Sequence, residues 1–319
     1  MENQTLQLKG GLLAVTIVSN TWSQSYRFYK DALGYSVLEE GVLTVQQKAI
    51  FGVGLNRFCL FGHSEGSVVR LIETLDNQAI PNRIGANPWD NGLGVIEAGT
   101  PDVDAAYWQV IRNKFGAIAP PTTFDCEGPE PLGYVLMKST AFIGPSGEQI
   151  FVTQIVDRKG GVSLLKEQSV KGINTPANAV ISLENREQQF FYDKILGIIP
   201  VNDLVLKQPG AAAIMAGPSD MGFDMCLMGA GQHRIGMEQH VYEGHNPTYT
   251  YRTYPSSFQQ TGLACASWQG KDFEELKAIL LENNIEIISE IGLPIRDFQT
   301  PKALVFRGIV GEILEIIFD

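Results

Sequence analysis

The chain contains the same phrase twice. Residues 28–34 read FYKDALG and residues 191–197 read FYDKILG, which is an offset of 163 positions. Other segments recur at nearly the same spacing: RFCLFG at 57–62 with DMCLMG at 224–229, and GEQI at 147–150 with GEIL at 311–314. Self-similarity along the whole chain predicts one fold written twice, in two halves of about 160 residues.

Each half divides again into two units. An apolar run at 12–19 predicts a strand, aromatic residues at helical spacing from Trp22 predict a helix that Gly34 ends, and three short strands follow at 36–45, 55–63 and 67–74. The same order of elements restarts near residues 92, 179 and 263. The sequence therefore predicts an α+β fold of four βαβββ modules that form two half-open barrel domains by internal duplication.

The segment after residue 157 is charged and rich in glycine, which is typical of a domain boundary. We therefore predict an N-terminal domain at 1–157 and a C-terminal domain at 174–319, each with two modules.

Composition narrows the class of partner. The chain has 319 residues, 44% of them hydrophobic, and a formal net charge of −11. A surface of this charge repels phosphate backbones, so no nucleic-acid partner is expected. Apolar runs are of strand length and the N-terminus resembles no signal peptide, so we expect neither a membrane partner nor secretion. The four cysteines are not in CxxC spacing, and a reduced, cytoplasmic protein is expected by default.

The four units resemble the vicinal oxygen chelate superfamily, which includes glyoxalase I, extradiol dioxygenases and bleomycin-resistance proteins. The resemblance rests on a strand, a short polar turn and a helix that ends in Phe-Tyr-x-x-x-Leu-Gly, and on the closing strand that begins at Gly311-Glu312. It implies paired units that curl into half-open barrels. It also implies metal ligands from the first and last strand of each unit, and it implies no single chemistry.

Carried onto this sequence, the resemblance gives two unequal sets of ligand positions. In the N-terminal half they are Leu13, Glu73, Val95 and Phe151, where one carboxylate among apolar groups predicts no metal. In the C-terminal half they are Asn178, Glu238, Cys265 and Glu315, all of which carry lone pairs. The family's usual histidines are missing from both sets. We therefore expect a degenerate N-terminal barrel and a candidate site in the C-terminal one.

Three outcomes are open for Glu238 and Glu315. Two carboxylates that face each other inside a barrel repel, so either a divalent metal ion neutralises them or one takes a proton at raised pKa. The third alternative is a site without catalysis. His240 lies two residues after Glu238 on one strand and shares its face, so it is a further catalytic candidate. Asn178 and Cys265 are candidate substrate-binding residues.

A tyrosine-rich segment links the third and fourth units. Its residues Tyr249, Tyr251 and Tyr254 are predicted to bind substrate by ring stacking and phenol hydrogen bonds, and the alternative is that they bury a domain or homodimer interface. No GxGxxG, Walker or GxSxG motif is present, so no nucleotide cofactor is expected.

These features give three hypotheses for function. The first is an enzyme of isomerase or lyase type that moves a proton on a small oxygenated substrate, aromatic or cyclic in shape, with Glu238 and Glu315 as central groups. The second is a protein of bleomycin-resistance type that sequesters a ligand without changing it. The third is a metalloenzyme similar to extradiol dioxygenases, whose facial ligand set maps onto Asn178, Cys265 and Glu315.

Overall fold

Two curled sheets of eight strands each form the molecule. The structure is a computed structural model that describes residues 6–87, 89–128, 133–159, 172–230, 233–242 and 252–318. Short helices pack against the sheets, so the fold is α+β, as the sequence predicts. None of the helices among these residues is long and apolar enough to cross a membrane.

The first two units have the predicted order of elements, with one addition. A helix that the sequence pattern did not suggest, α2, lies between the second and third strands. A capping box between Thr44 and Gln47 starts it. The first unit contains β1 (Leu8–Ser19), α1 (Trp22–Arg27) with a π-helical turn (Phe28–Ala32), β2 (Ser36–Val42), α2 (Val45–Phe51), β3 (Leu55–Gly62) and β4 (Val68–Thr74). The second contains β5 (Gly92–Gly99), α3 (Val103–Arg112), β6 (Ala117–Gly128), β7 (Gly133–Ile143) and β8 (Gln149–Lys159).

The third and fourth units repeat this plan. A short helix, α5, occupies in the third unit the position that α2 has in the first. The third unit contains β9 (Pro176–Leu183), a 3₁₀ turn (Arg186–Gln188), α4 (Gln189–Leu196), β10 (Ile199–Leu206), α5 (Pro209–Ile214), β11 (Phe223–Ala230) and β12 (His233–Val241). The fourth contains β13 (Gly262–Gly270), α6 (Phe273–Glu282), β14 (Ile287–Ile291), β15 (Lys302–Arg307) and β16 (Ile313–Phe318).

The units pair across the two halves of the chain. One sheet has the order β14-β15-β16-β13-β1-β4-β3-β2, and the other has the order β10-β11-β12-β9-β5-β8-β7-β6. The antiparallel contact of β1 with β13 joins the first and fourth units, and that of β5 with β9 joins the second and third. We call the resulting bodies the 1–4 barrel and the 2–3 barrel.

This pairing corrects the predicted domains. Residues 1–157 and 174–319 each contain two modules, but neither range makes a barrel of its own, because each contributes one module to each sheet. The repeat alone could not reveal this, because four similar modules can pair in more than one way.

Three apolar clusters hold the molecule together. One fills the 1–4 barrel and includes Phe58 and Val305, and another fills the 2–3 barrel and includes Phe223 and Leu204. The largest cluster combines the helices with the outer faces of both sheets, and Trp268 is buried in it. The indole of Trp268 also donates a hydrogen bond to the carbonyl of Ile235, 2.8 Å away in the other barrel. The two barrels therefore share one continuous core.

Candidate functional site

The 2–3 barrel encloses a cavity of about 40 Å³. Its walls are mostly apolar, and methionines from three elements contribute to them. At one end the lining becomes polar, with carboxyl, imidazole and hydroxyl groups. The lining residues are Glu97, Phe124, Met137, Ser139, Phe151, Thr153, Leu206, Ala211, Ile214, Met215, Phe223, Met225, Glu238 and His240. An apolar pocket with a few convergent polar groups is the usual form of a small-molecule site.

The helix α5 closes one side of this cavity. Its Gly210 lies so close to β6 that an added Cβ would come within 2.9 Å of the Phe124 side chain and of the Thr123 carbonyl oxygen. Ala211 and Ile214 of the helix, with Met215 directly after it, form part of the cavity wall. The small space under this helix fits a few non-hydrogen atoms, and a larger molecule requires the methionines or α5 to move.

Two carboxyl groups meet at the polar end. Glu97 on β5 and Glu238 on β12 are hydrogen-bonded to each other. The amide nitrogen of Asn178 on β9 lies 2.5 Å from Glu97 Oε2 and 3.3 Å from Glu238 Oε2, so it donates to both. The second Glu238 oxygen, Oε1, lies 2.7 Å from His240 Nε2. The three strands bring these groups together because β5 pairs with β9 and β9 pairs with β12.

Burial controls the protonation of this cluster. Burial raises the pKa of Glu97 well above its ordinary value, and the neighbouring Glu238 carboxylate raises it further. The pKa of Glu238 is also raised by burial, while the hydrogen bond from Glu97 lowers it. Burial lowers the pKa of His240 to about 4. Both shifts favour a proton on the pair, and the larger shift assigns it to Glu97. An ionised Glu238 then accepts Nε2–H from a neutral His240.

Hydroxyl groups extend the cluster along β7 and β8. Thr153 Oγ1 lies 3.4 Å from Glu97 Oε1, and the Ser139 hydroxyl donates to Thr153 Oγ1 at 2.9 Å. On the other side, the Arg234 guanidinium lies 3.4 Å from Asn178 Oδ1 and stabilises negative charge on both glutamates. The cluster is thus a connected set of hydrogen bonds that opens onto an apolar space.

Of the predicted site residues, Asn178, Glu238 and His240 lie together in this cluster. Glu315 does not join them, which corrects the central expectation from the sequence. It lies on β16 in the 1–4 barrel, whereas Glu238 lies on β12 in the 2–3 barrel. The predicted Glu238–Glu315 pair, as catalytic carboxylates or as metal ligands, is therefore wrong, and the partner of Glu238 is Glu97.

Glu315 instead forms a buried ion pair. Its Oε2 lies 2.5 Å from Arg70 Nη2 on β4, and its Oε1 accepts a hydrogen bond from the backbone N–H of Leu293 at 2.8 Å. The Ser267 hydroxyl donates to the same carboxylate. Cys265 is also in the 1–4 barrel, buried in the apolar cluster that fills it. These groups saturate one another, so the Arg70–Glu315 cluster is a structural ion pair.

The tyrosine predictions have separate outcomes. Tyr249 and Tyr251 lie outside the described residues. The ring of Tyr254 lies between two arginines, with the Arg83 guanidinium carbon 5.6 Å and the Arg252 guanidinium carbon 5.5 Å from its centre. Tyr254 does not line the cavity described above. Its ring packs against the Arg83 guanidinium instead.

Sequence reasoning missed Glu97. The ligand positions implied by the resemblance fell on Val95, two residues earlier on the same strand. One signal was present, because Glu97 is the single charged residue in an otherwise apolar strand, GLGVIEAG. Glu73, the one carboxylate among the N-terminal ligand positions, forms an ion pair with Arg57 at 2.9 Å on the outside of the sheet.

The donor set does not fit a divalent metal ion as it stands. Asn178 presents its N–H groups to both carboxylates, Glu97 uses its proton to bind Glu238, and the Arg234 cation lies beside them. The lone pairs that a cation requires are therefore already engaged. Across the residues that the structure describes, no three His, Cys, Asp or Glu side chains are arranged to hold a metal ion. The facial set Asn178, Cys265 and Glu315 is divided between the two barrels.

The fold that the resemblance implied is confirmed, because solved structures of a glyoxalase I and of a putative dioxygenase share it over nearly the whole chain. Among solved structures, glyoxalase I from Zea mays has a TM-score of 0.60 and 13% identity, and the likeness covers 97% of this chain and 92% of that one. A putative dioxygenase from Bacillus subtilis has a TM-score of 0.59 and 15% identity, over 99% of this chain and 86% of that one. Comparison with protein-family models finds no match, and comparison with curated proteins finds none either.

Proposed function

We propose that the chain is an enzyme of isomerase or lyase type that moves a proton on a small oxygenated substrate, in the cavity of the 2–3 barrel. One observation carries this proposal: two buried carboxyl groups are hydrogen-bonded to each other at the polar end of an apolar cavity. Environments that separate the pKa values of two neighbouring acids create one general acid and one general base. The candidate base is Glu238 and the candidate acid is Glu97.

The reaction step follows from these protonation states. The Glu238 carboxylate removes a proton from a carbon next to a carbonyl group, and Glu97 gives its proton to the carbonyl oxygen, which forms an enediol or enol. From an enediol, Glu238 returns its proton to the former carbonyl carbon and Glu97 takes back the proton of the other hydroxyl group, which gives an isomer. Where the next carbon carries a leaving group, the enol returns its hydroxyl proton to Glu97 and expels that group with its bonding electrons. The leaving group takes the proton from Glu238, which gives a lyase product. His240 keeps Glu238 oriented through its Nε2–H, and Asn178 donates to both acids. No step requires a metal ion.

Proton exchange with solvent tests this proposal directly. Purified protein is incubated in D₂O at neutral pH with hydroxyacetone and with 2-hydroxyacetophenone, and loss of the Cα–H signal is followed by ¹H NMR. We expect exchange with the wild type, and a rate at least about 100-fold lower for Glu238→Gln, because general-base catalysis contributes that much. Glu290→Gln is the control, since Glu290 is exposed and pairs with Lys277 on the outer surface. Equal rates for wild type and Glu238→Gln contradict the proposal.

Metal analysis addresses the divalent ion that the resemblance implies. The donor contacts described above support a metal-free site, so we expect exchange to survive dialysis against EDTA. Stoichiometric metal in protein purified without chelator, lost on Glu97→Gln or Glu238→Gln, would instead assign these residues as ligands and overturn the metal-free step.

A sequestering protein is the second candidate, and the methionines favour it. Met137, Met215 and Met225 all line the cavity, and flexible thioether side chains adapt to ligands of different shapes. A ligand that binds tightly, with a dissociation constant unaffected by Glu238→Gln, and that returns without deuterium supports sequestration over catalysis.

A further inference from the structure

A second, smaller cavity of about 10 Å³ adjoins the first in the 2–3 barrel. The two share the lining residues Phe151, Met215 and His240. The remaining lining of the small cavity is different in character, because it includes a guanidinium, a hydroxyl and a carboxamide, from Arg83, Ser182 and Gln149. A space of this size holds one polar atom, such as a water oxygen or the end of a ligand group.

The polar side chains of this cavity are fixed by the sheet. Ser182 and His240 are directly paired across β9 and β12, so they lie side by side on one face. Ser182 is 4% exposed and His240 is 3% exposed. The Ser182 hydroxyl lines the small cavity beside the imidazole, where a bound polar group can exchange a hydrogen bond with it.

Arg83 reaches this cavity because the facing strand has no side chains in its way. A Cβ at Gly94 would lie 3.3 Å from the guanidinium carbon, and one at Gly92 would lie 2.9 Å from Nη1. Two backbone carbonyls then orient the guanidinium: Nη1 donates to Asn91 at 2.9 Å and Nη2 donates to Asp90 at 2.8 Å. The Tyr254 ring also contacts the guanidinium, with its centre 5.6 Å from the guanidinium carbon.

The charge of Arg83 is not neutralised by a direct partner. Its nearest candidate, the Asp90 carboxylate, instead accepts hydrogen bonds from the backbone and guanidinium of Arg252, at 3.0 and 3.3 Å. Among the described residues, no carboxylate forms an ion pair with Arg83. Burial lowers the pKa of Arg83, the nearby Asp90 charge opposes this shift, and the arginine remains charged. An anion in the small cavity would relieve this imbalance.

We propose that the small cavity is a carboxylate subsite, so that the substrate or ligand of the 2–3 barrel is a small carboxylic acid. This inference rests on the proposed function for the location of the ligand body, in the larger cavity. One carboxylate oxygen takes the place beside Arg83 and Ser182, and the apolar part of the molecule extends past Met215 and Phe151 toward Glu97 and Glu238. The subsite would also set the substrate's orientation relative to the two acids.

Matched pairs of acids and amides test this subsite. The probes are phenylacetate against phenylacetamide, and isobutyrate against isobutyramide, titrated into protein labelled with ¹³C at the methionine methyl groups. Met215→Leu assigns the Met215 signal. We expect each acid to shift this signal and to bind about ten-fold more tightly than its amide, because charge-assisted hydrogen bonds to arginine favour the anion.

Variants separate the subsite from a general charge effect. Arg83→Gln should bring the acid-to-amide preference close to one. Arg57→Gln is the charge control, because Arg57 pairs with Glu73 in the 1–4 barrel and does not line the cavity, so it should retain the preference. If Arg83→Gln fails to fold, Arg83→Lys and Ser182→Ala test the subsite instead. We expect a weaker acid-to-amide preference in Arg83→Lys and several-fold weaker acid binding in Ser182→Ala.

Three outcomes would overturn the proposal: no acid preference in the wild type, no shift of the Met215 methyl with either acid in the millimolar range, or equal loss of preference in Arg83→Gln and Arg57→Gln. Glu238→Gln distinguishes this proposal from the catalytic one. Acid preference retained in that variant, together with unchanged proton exchange, would contradict the catalytic proposal while supporting the subsite. If Glu238→Gln abolishes proton exchange and neither the wild type nor any variant prefers acids, the catalytic proposal is supported and the subsite is contradicted.

Discussion

At the scale of single residues, the repeated phrase that opens the sequence has a physical meaning. Tyr29 of the first FY pair donates a hydrogen bond to Glu148 at 2.6 Å, and Tyr192 of the second FY pair donates to Glu312. Each glutamate also accepts from a backbone N–H two residues earlier, Ser146 and Val310 respectively, at 3.0 Å. All four side chains are buried. The two most similar motifs in the chain therefore bind each other, once in each half.

A glycine makes room for each of these carboxylates. Adding a Cβ at Gly144 would overlap the Glu148 carboxyl group, and the same holds for Gly308 and Glu312. We predict that Gly144→Ala lowers the free energy of unfolding by about 2 to 3 kcal/mol, because the buried hydrogen bond from Tyr29 must break or the turn must shift. Urea denaturation measures the change.

Gly116→Ala is the matched control, since its added Cβ would lie 3.5 Å from the Ile143 side chain, an ordinary contact. This variant should stay within about 0.5 kcal/mol of the wild type, as surface substitutions usually do. Equal stability of Gly144→Ala and Gly116→Ala would show that the turn is not constrained by the carboxylate.

The Glu97 and Glu238 pair predicts a bell-shaped pH profile for proton exchange. The base works only when Glu238 has lost its proton, so the rate should rise with pH above the ordinary glutamate pKa of 4.5. The rate should fall again when Glu97 loses its proton, at a pH well above that value. Both apparent pKa values belong to the pair rather than to one residue.

Glu97→Gln separates the two limbs of this profile. A glutamine does not titrate, so the falling limb should disappear while the rising limb remains. His240 should contribute no limb near neutrality, because burial lowers its pKa to about 4. A rising limb near the ordinary histidine pKa, removed by His240→Gln, would show that His240 rather than Glu238 is the base.

At the scale of elements, equivalent strands carry different polar clusters in the two barrels. In the 2–3 barrel, β5, β9 and β12 carry a proton-sharing cluster that opens into a cavity. In the 1–4 barrel, β1, β4, β13 and β16 carry Thr16, Arg70, Ser267 and Glu315, which bind one another. The Arg70 guanidinium also donates to the carbonyls of Leu293 and Pro294, so it binds the segment before β15 to the barrel.

We predict strong coupling between Arg70 and Glu315. Glu315→Gln and Arg70→Leu should each destabilise the protein by about 3 to 5 kcal/mol, because each leaves a buried charge without its partner. The double variant should lose less than the sum, by at least about 2 kcal/mol, since no uncompensated charge remains. Thermal or urea unfolding of the four proteins completes the cycle.

The exposed Lys277–Glu290 pair is the control for this cycle. Its side chains are 31% and 51% exposed, so Glu290→Gln should change stability by less than about 1 kcal/mol. Additive effects of Arg70→Leu and Glu315→Gln would contradict the buried ion pair. Catalytic loss in Glu315→Gln beyond its loss of folded protein would restore the role that the sequence first suggested for Glu315.

Most of the strands, helices and site residues could be predicted from the sequence, and the exceptions have physical causes. Strand and helix order follow from apolar periodicity and from glycine stops, such as Gly197 in a left-handed conformation with φ of 66°. The helix α5 was missed because six residues, PGAAAI, show no helical period. Asn178 and Glu238 could be placed from the ligand positions that the resemblance implies, and His240 from strand parity. Their partner Glu97 could not, because the pairing of modules decides which strands meet.

At the scale of the whole molecule, the Tyr–Glu pairs join the barrels. Tyr29 belongs to the first unit and Glu148 to the second, while Tyr192 belongs to the third and Glu312 to the fourth. The first and second units lie in different barrels, and so do the third and fourth, so each pair links the 1–4 barrel to the 2–3 barrel. Burial raises the pKa of both Glu148 and Glu312 to about 7.

These carboxyl groups make stability depend on pH. Their folded pKa is above the unfolded value of 4.5, so the protonated form favours folding below pH 4.5 and this contribution is lost as pH rises through about 7. A group shifted this far contributes roughly 3 kcal/mol. Between pH 4.5 and pH 7, the free energy of unfolding should fall in the wild type and in Glu148→Gln. We predict that the fall is roughly 3 kcal/mol larger in the wild type. Parallel pH profiles for the two proteins, from urea denaturation, would contradict the raised pKa.

The crossed pairing of modules makes a last prediction about the two halves. A fragment of residues 1–159 contains β1 and β5, whose neighbours β13 and β9 lie in the other half. Separated, each half would expose two central strand edges with unpaired backbone groups and the apolar residues of the shared core. Neither fragment should therefore fold alone, although both have the size of an ordinary domain.

Refolding the fragments together should restore the structure. When 1–159 and 172–319 are mixed from denaturant, we expect a one-to-one complex by size-exclusion chromatography, with the far-ultraviolet circular dichroism of the intact chain. Each fragment alone should aggregate or remain unfolded, because each holds only half of each sheet. Cooperative thermal unfolding of either isolated fragment would mean that modules also pair within a half, as the repeat first suggested. Such a half would have to bring Glu238 and Glu315 into one barrel and separate Glu238 from Glu97, so this experiment also tests the geometry on which the proposed chemistry depends.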